Sequence, residues 1–273
     1  MSVFRTRFAP SPTYYLHLGH AASALQVWRR AELAGGEVLL RIEDIDTARC
    51  RPEYTQAIYD DLRWLGLDWP DPVRVQSEHF DDYAVCVSAL NARGLAYRCF
   101  RTRTELASLA NPLQPGPHDA ADEVRLLAGD VPFAWRLSLS AARIELGAAW
   151  DALCFVEMTP EGPVSRTARP ELHGDIVIAR KDSPSAYHIA ATHDDALQGV
   201  TDIIRGEDLL DAPHIQTLLQ VLLDWPQPAY QHHALLYGDD GAKLSKRQKS
   251  ISLASLRADG MTAGQVRAHL GFA

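Results

Sequence analysis

The opening of this chain, from Phe4 to Ile42, constrains the fold more than any other part of it. Phe4 to Ala9 reads as a strand, His20 to Leu33 as an amphipathic helix stopped by Gly35-Gly36, and Val38 to Ile42 as a near-continuous apolar strand. A strand apolar on both sides is what a parallel sheet covered on both faces requires. Strand, helix and strand in so short a stretch make a βαβ unit. The pattern predicts an α/β fold with a Rossmann-like, doubly wound parallel sheet, whose ligands lie at the carboxyl ends of its strands. Pro10-Ser11-Pro12, running into His17-Leu18-Gly19-His20, occupies that position after the first strand.

The alternation continues. Pro52 opens a helix that runs through Ile58, Leu62 and Leu65 to Gly66, and Asp81 to Arg93 forms another, stopped at Gly94. Between about residues 96 and 172 the pattern loosens, with loops marked by Asn111-Pro112, Pro115-Gly116-Pro117 and Pro160-Glu161-Gly162-Pro163. Regular alternation resumes at Asp175 to Ile178 and passes through Ile203 to Arg205; Pro213 starts a helix to Leu223, and Tyr230 to Tyr237 leads into a lysine-rich loop. The expected layout is a first catalytic half over residues 1–95, an inserted subdomain over 96–172, a second catalytic half over 173–250, and a short helical segment over 251–273.

Two short motifs carry the chemistry. His17-x-Gly19-His20 begins a helix, where free backbone N–H groups and the helix dipole favour a phosphate and the imidazoles can donate to phosphoryl oxygens. Lys243-Leu244-Ser245-Lys246-Arg247 follows the turn-forming Gly238-Asp239-Asp240-Gly241 and places two ammonium groups three residues apart, able to close on a polyphosphate as mobile point charges. Singly, each has an ordinary reading: a metal half-site or exposed histidine for the first, a solvated face for the second. Together, in this order, they suit the two halves of one ATP site.

Four ordered segments then bear a resemblance. Arg7-Phe8-Ala9-Pro10-Ser11-Pro12-Thr13 with His17-Leu18-Gly19-His20, and Leu40-Arg41-Ile42-Glu43-Asp44-Ile45-Asp46-Thr47-Ala48-Arg49, are similar to segments of the glutamyl-type class I aminoacyl-tRNA synthetases. So are Ala186-Tyr187-His188-Ile189-Ala190 with Asp194-Asp195, and Gly199-Val200-Thr201-Asp202 with Ile204-Arg205-Gly206-Glu207-Asp208-Leu209. The resemblance covers most of residues 5–250. It implies an ATP-dependent ligase in which His17, Gly19, His20 and Lys246 are catalytic, and His17, His20, Lys243, Ser245 and Lys246 hold ATP. Magnesium is expected on the nucleotide phosphates. It further implies that Arg7, Phe8, Ala9, Pro10, Ser11, Glu43, Tyr187 and Arg205 hold L-glutamate. Arg7 and Arg205 supply cationic forks for the carboxylates, Glu43 an acidic partner for the ammonium, and Ser11 and Tyr187 hydroxyls. Without the resemblance, Arg205 would read as a strand-end partner of Glu207 or Asp208, and Glu43 as a partner of Arg41.

Length narrows the expectation. The discriminating enzymes of the family continue well past the lysine motif into a helical anticodon-binding region, whereas residues 248–273 are all that follow Arg247 here. The resemblance is therefore nearest to the queuosine-directed branch, which attaches glutamate to the queuosine base at the wobble position of tRNA(Asp), so that an anticodon loop carrying queuosine enters the cleft. A truncated or divergent glutamate–tRNA ligase acting at the tRNA 3′ end, and a catalytically silent paralogue, stay open as alternatives. Ala191 stands where discriminating enzymes usually carry asparagine, which agrees with the queuosine-directed branch but also suits a small core residue.

Other features bound the partners. A formal charge of −8 supplies no global positive field, so RNA contact must rely on local patches such as Arg98, Arg101 and Arg103 or Lys243, Lys246, Arg247 and Lys249. Cys50, Cys86, Cys99 and Cys154 have no C-x-x-C spacing, which argues for reduced thiols and a cytoplasmic location. The N-terminus lacks an apolar leader, and no run of about 20 apolar residues offers a membrane span. A monomer is expected. Queuosine-directed relatives often hold zinc in the insertion through a Cys-x-Cys pair, a tyrosine and a third cysteine; here Cys99 alone keeps a ligand position and Arg101 takes the second, so no zinc is expected. His193, His232 and His233 read as structural or solvent-facing. Tyr14 stands where the family usually has glycine, and at a backbone position with φ > 0 it would crowd the loop over the substrate.

Overall fold

A computed structural model describes residues 3–236 and 251–272. The lysine motif with Lys243, Ser245, Lys246 and Arg247 lies outside the described residues. In chain order the elements are β1 (Arg5–Phe8), α1 (Leu18–Ala34), β2 (Glu37–Ile42), α2 (Pro52–Trp64), β3 (Arg74–Val75) and α3 (Phe80–Ala92). They continue with β4 (Ala96–Cys99), α4 (Arg103–Ala107), α5 (Ala120–Ala128), β5 (Ala134–Leu137), α6 (Leu139–Leu146), β6 (Cys154–Thr159) and β7 (Gly162–Thr167). The last group is β8 (Val177–Ala179), α7 (Tyr187–Leu197), β9 (Asp202–Gly206), α8 (Ala212–Leu222), β10 (Ala229–His233), α9 (Leu253–Ala258) and α10 (Ala263–His269).

The first βαβ unit forms as its sequence dictates. α1 ends because Gly35 adopts the left-handed conformation at φ 63°, and its N–H reaches the Ala31 and Glu32 carbonyls. Gly36 serves a second purpose, since a Cβ there would fall 2.2 Å from the Phe4 carbonyl oxygen where the next strand passes the first. β1, β2 and β3 pair in parallel, with Arg5 opposite Glu37 and Arg41 opposite Arg74. β9 and β10 also pair in parallel, and β1 is tied to the entry of β9 by the Thr201 N–H donating to the Arg5 carbonyl at 2.9 Å. The carboxyl ends of β1 and β9 therefore lie side by side, which brings residues 7–11 against residues 204–206.

The stretch 96–172 is more regular than its sequence suggests, because its partners lie far along the chain. β6 and β7 form a hairpin whose first strand adds to β10 through Tyr230 and Glu157, and β4 pairs antiparallel with β5. The expected return to alternation at Asp175 needs correction in direction. β8 is there, but it runs antiparallel to β5 in a separate three-stranded sheet. A short apolar run reports burial, not which neighbour it will find or which way that neighbour runs.

Two apolar cores result. One fills the space under β1, β2, α1 and α2, and takes in Leu253 and Val266, both fully buried, from the two last helices. Burying such a side chain is worth about 1.5–3 kcal/mol, so α9 and α10 are firmly anchored. The other core lies among α3, β4, β5, α7, α8 and β10. The chain re-enters the described structure against the histidine motif, where Ser252 bridges to His17 and the Leu253 N–H donates to the Leu16 carbonyl at 2.8 Å.

Candidate active site

Where β1 and β9 end, a cleft of about 220 Å³ opens. Its walls bring together Arg7, Phe8, Ala9, Pro10, Ser11, His20, Glu43, Tyr187 and Arg205, all named from sequence, and add Ser23, Ile204, Gly206 and Leu209. His17 and Gly19 stand beside it at the start of α1. At Gly206 the chain passes close to two side chains, since a Cβ would lie 2.6 Å from an Asp208 carboxylate oxygen and 2.8 Å from Leu235, either of which would have to shift.

The histidine motif uses its side chains differently from the expectation of free backbone N–H groups. The Gly19 N–H donates to His17 Nδ1 at 3.1 Å, and the His17 N–H donates to His20 Nδ1 at 3.2 Å, a reciprocal cap on α1. The rings lie 3.9 Å apart, centroid to centroid. Because both Nδ1 atoms accept, each imidazole carries its proton on Nε2 when neutral. The sequence offered a phosphate both main-chain and ring donors; the cap engages the His17 and Gly19 N–H groups, which reduces the main-chain part of that offer.

Three buried guanidiniums organise the floor. Arg41 is fully buried, with Nη2 2.9 Å from Asp195 and 3.3 Å from Glu43 and with Nη1 donating to Gln198 at 3.0 Å. Arg7 donates through Nε to the same Asp195 oxygen at 3.0 Å. Asp195, named in the motif but given no role, thus aligns two arginines. Its neighbour Asp194 accepts from Arg74, Gln76 and Tyr83 at 2.7–2.9 Å and contacts His193. Burial works against that carboxylate's charge, but His193, Arg41, Gln76 and Arg74 together hold it below the usual range. Burial pushes the Glu43 carboxyl upward against the pull of Arg41 and Arg7. Glu43 lines the cleft and also pairs with Arg41.

Arg205 makes no ion pair with Glu207 or Asp208 among the described residues. Its Nε donates to His232 Nε2 at 3.2 Å, its Nη1 donates to Gln216 at 3.1 Å, and its carbon centre lies 5.2 Å from the Tyr230 ring centroid. Its Nη2 is buried and makes no hydrogen bond among the described residues. A cationic donor left unmatched in a cleft wall is costly until an anion meets it. His232 is structural, as read, yet it is more than filler. Accepting from Arg205 leaves its proton on Nδ1, 3.3 Å from Glu157. Burial and the nearby Arg205 lower its pKa. The signal was the strand register, which sets His232 opposite Arg205, and register is not written in either segment alone. His193 packs between Tyr83 and Trp225, and His233 bonds Ser23 at 3.0 Å.

The two departures noted from sequence resolve differently. Tyr14 is not among the described non-glycine residues with positive φ, and its ring is half exposed and stacked on Tyr54, so the loop over the cleft carries it without left-handed backbone. In the insertion, Cys99 is buried opposite Ala134, and Arg101 donates to the Gly116 carbonyl at 2.8 Å. His118 packs edge-on to Phe100, and no group of three metal-binding side chains gathers among the described residues. A single thiol beside a guanidinium does not fit zinc. Arg98 is spent internally, paired with Glu123 at 2.7 Å and lying 4.7 Å over the Trp135 ring. Ala191 is fully buried in α7.

Comparison with known proteins agrees with this geometry. The catalytic-domain model of the class I tRNA synthetases (E and Q) matches residues 3–122 and 161–268, and the chain belongs to that family. It is 39% identical to the glutamyl-Q tRNA(Asp) synthetase of Rhodobacter capsulatus over 97% of this chain and 99% of the relative, and 37% identical to that of Symbiobacterium thermophilum over 97% and 85%. Against glutamate–tRNA ligase 1 of Methylococcus capsulatus the identity is also 39%, but the match covers 95% of this chain and 57% of the relative. Among solved structures, a glutamate tRNA ligase from Elizabethkingia meningosepticum in complex with its amino acid superposes with a TM-score of 0.73 at 26% identity, over 95% of this chain and 54% of that one. The chain thus spans about half the length of that ligase. Among the described residues no helix is long and apolar enough to cross a membrane.

Proposed function

We propose that this protein activates L-glutamate with ATP and transfers it to the queuosine base at the wobble position of tRNA(Asp). The match of nearly equal extent to the Rhodobacter capsulatus glutamyl-Q tRNA(Asp) synthetase carries this reading. The cleft supplies the chemistry. Arg7 and Arg205 hold the two carboxylates, Glu43 the ammonium, and Ser11 and Tyr187 add hydroxyl hydrogen bonds; Phe8, Ala9 and Pro10 shape the wall. In activation, a glutamate carboxylate oxygen bonds to the α-phosphorus of ATP while the bond from that phosphorus to the bridging oxygen breaks, and pyrophosphate departs with its electron pair. His17 and His20 donate to the phosphate oxygens, with Gly19 giving room for the nucleotide. Lys243, Ser245 and Lys246 are assigned to the departing pyrophosphate, and magnesium arrives with the nucleotide. No protein nucleophile is needed, because positioning and charge stabilisation supply the catalysis.

In transfer, a ring hydroxyl of queuosine attacks the glutamyl carbonyl, an ester forms, the mixed anhydride breaks, and AMP leaves as the hydroxyl gives up its proton. Residues 1–95 and 173–250 are assigned to the catalytic domain, 96–172 to the acceptor-side insertion and 251–273 to a helical brace. A cytoplasmic monomer completes the proposal. The first measurement is ATP–pyrophosphate exchange without tRNA, which should depend on glutamate and ignore aspartate and glutamine. Labelled glutamate should then appear on queuosine-bearing tRNA(Asp). Charging of unmodified glutamate tRNA at its 3′ end would replace this reading with an ordinary glutamate–tRNA ligase.

A further inference from the structure

The arginines that the sequence offers for RNA contact near the insertion are largely committed, Arg98 to Glu123 and Arg101 to Gly116. A different face has the features an RNA loop requires. Tyr14, 50% exposed, stacks on Tyr54 with ring centroids 6.3 Å apart and planes at 28°, and Tyr15, 44% exposed, meets the same ring edge-on at 4.9 Å. This open aromatic ledge is built into the site. Tyr14 and Tyr15 lie in the short connection between Ser11 and His17, and Tyr54 sits in the first turn of α2, whose entry is fixed by the Arg51 N–H donating to the Pro12 carbonyl at 3.1 Å.

Around the start of α2 opens a cavity of about 450 Å³, walled in part by Pro12, Asp44, Cys50, Arg51, Thr55 and Tyr59. Cys50 Sγ lies 3.8 Å from Ser11 Oγ, and Ser11 lines the glutamate cleft. The two spaces are therefore back to back across one side-chain contact. Cations flank the ledge: Arg49 pairs with Asp46 yet keeps its side chain 67% exposed, near enough to Tyr14 to interact electrostatically with its phenol, and Arg51, which donates to the Ala48 and Cys50 carbonyls, is exposed at the helix entry, whereas Arg98 and Arg101 are partly buried. Exposed ring faces beside guanidiniums suit unpaired bases on a phosphate backbone, because every base has a face that stacks. Unstacked loop nucleotides present just that combination, whereas a duplex hides its base faces.

We infer that the Tyr14–Tyr15–Tyr54 ledge and the adjoining cavity form the docking site for the single-stranded loop of the RNA acceptor. The ledge stacks a flanking base, and the cavity admits the nucleoside that receives glutamate. This inference rests on the function proposed above.

The test compares the full chain with Tyr14→Ala, Tyr54→Ala and Thr55→Trp, the last filling the cavity. Glutamate-dependent ATP–pyrophosphate exchange without RNA should be unchanged in all three. Transfer to queuosine-bearing tRNA(Asp) should show a KM for the tRNA raised roughly tenfold in the two alanine variants, restored by Tyr14→Phe and Tyr54→Phe, and should be lost in Thr55→Trp. Unaltered transfer would overturn the inference, as would a raised KM for ATP or glutamate in exchange, which would give the ledge to the small substrates. Absence of exchange in the unmodified protein would instead sink the proposed function. Binding of the anticodon stem-loop, followed by fluorescence anisotropy, still judges the ledge separately: weakened affinity in the alanine variants supports it, and equal affinity rejects it.

Discussion

Around the cleft, buried charged side chains are held by other buried charged side chains, whereas around Cys99 the insertion is held by edge-on and tilted rings, a carbonyl and one partly exposed ion pair, Arg98 with Glu123. Arg7, Arg41 and Asp195 fix one another at 2.9–3.0 Å in a site closed to solvent. In the insertion, Arg98 lies over Phe133 and Trp135, Phe100 packs on Phe133 and His118, and Arg101 reaches the Gly116 carbonyl. A buried ion network tolerates no single deletion, because the partner left behind keeps its charge without solvent or counter-ion. A cluster of rings loses its contacts one at a time. The first region is therefore bound to particular residues, and the second tolerates change at single positions.

Deleting a member of each region gives the widest separation. Asp195→Ala strands the fully buried Arg41 and should cost about 3–5 kcal/mol in urea unfolding. If Asp195→Ala and Arg101→Ala cost the same, the contrast between the two regions is broken. A step down in size, Arg205→Ala should, on the proposed function, raise the KM for glutamate roughly 10- to 100-fold and leave that for ATP nearly unchanged, since that function gives Arg205 a charge-assisted hydrogen bond to glutamate and none to ATP. An unchanged glutamate KM in exchange assays removes Arg205 from the site.

Arg101→Ala, which removes one hydrogen bond to a carbonyl, should lower stability by only about 1 kcal/mol. Dialysis against a chelator should leave the melting temperature alone, and stoichiometric zinc surviving that dialysis would show that the insertion is metal-held after all. An effect comparable in size to that of Arg101→Ala belongs to Asp61, a buried carboxylate of α2. Among the described residues its oxygens make no hydrogen bond, and its ion-pair partner Arg257 lies 3.5 Å away. Burial pushes its pKa up to about 6, with Arg257 opposing. A carboxyl raised above its unfolded value of about 3.9 stabilises the fold when protonated, so its contribution is complete below pH ~4 and lost as the pH rises through ~6. Asp61→Asn should flatten the stability profile between those limits and raise the melting temperature at pH 7 by a few degrees. A profile of unchanged slope would show that Arg257 compensates the charge as fully as Arg41 and Arg7 compensate Asp195.

Much of the cleft was legible because its residues are short-range neighbours in motifs that the resemblance picks out: Arg7 to Ser11 run from the end of β1 into the connection after it, and Arg205 stands one residue from the end of β9. Those residues do meet in space. What escaped was the supporting layer. Asp195 appeared in a motif without a task, since only the fold brings it to Arg7 and Arg41 from a distant helix. His232 looked like an ordinary strand residue, since only the pairing of β10 with β9 sets it under Arg205. The three tyrosines were scattered, and Tyr14 looked like an obstacle to the loop, because a one-letter sequence does not say that α2 turns Tyr54 to meet its ring.

By itself the sequence determined the α/β alternation and the ends of α1 and α2, through the period of apolar residues and glycine at a helix end. The side chains expected in the cleft came from the resemblance to the glutamyl-type class I synthetases, without which Arg205 and Glu43 read as ordinary ion-pair partners. Only the tertiary structure decided the direction of β8, the anchoring of α9 and α10 beside the histidine motif, the unmatched Nη2 of Arg205, and the ledge beside the cleft. Each of those depends on which distant segments touch, and contact between distant segments is settled by the packing of the whole chain rather than by the preference of any stretch of it.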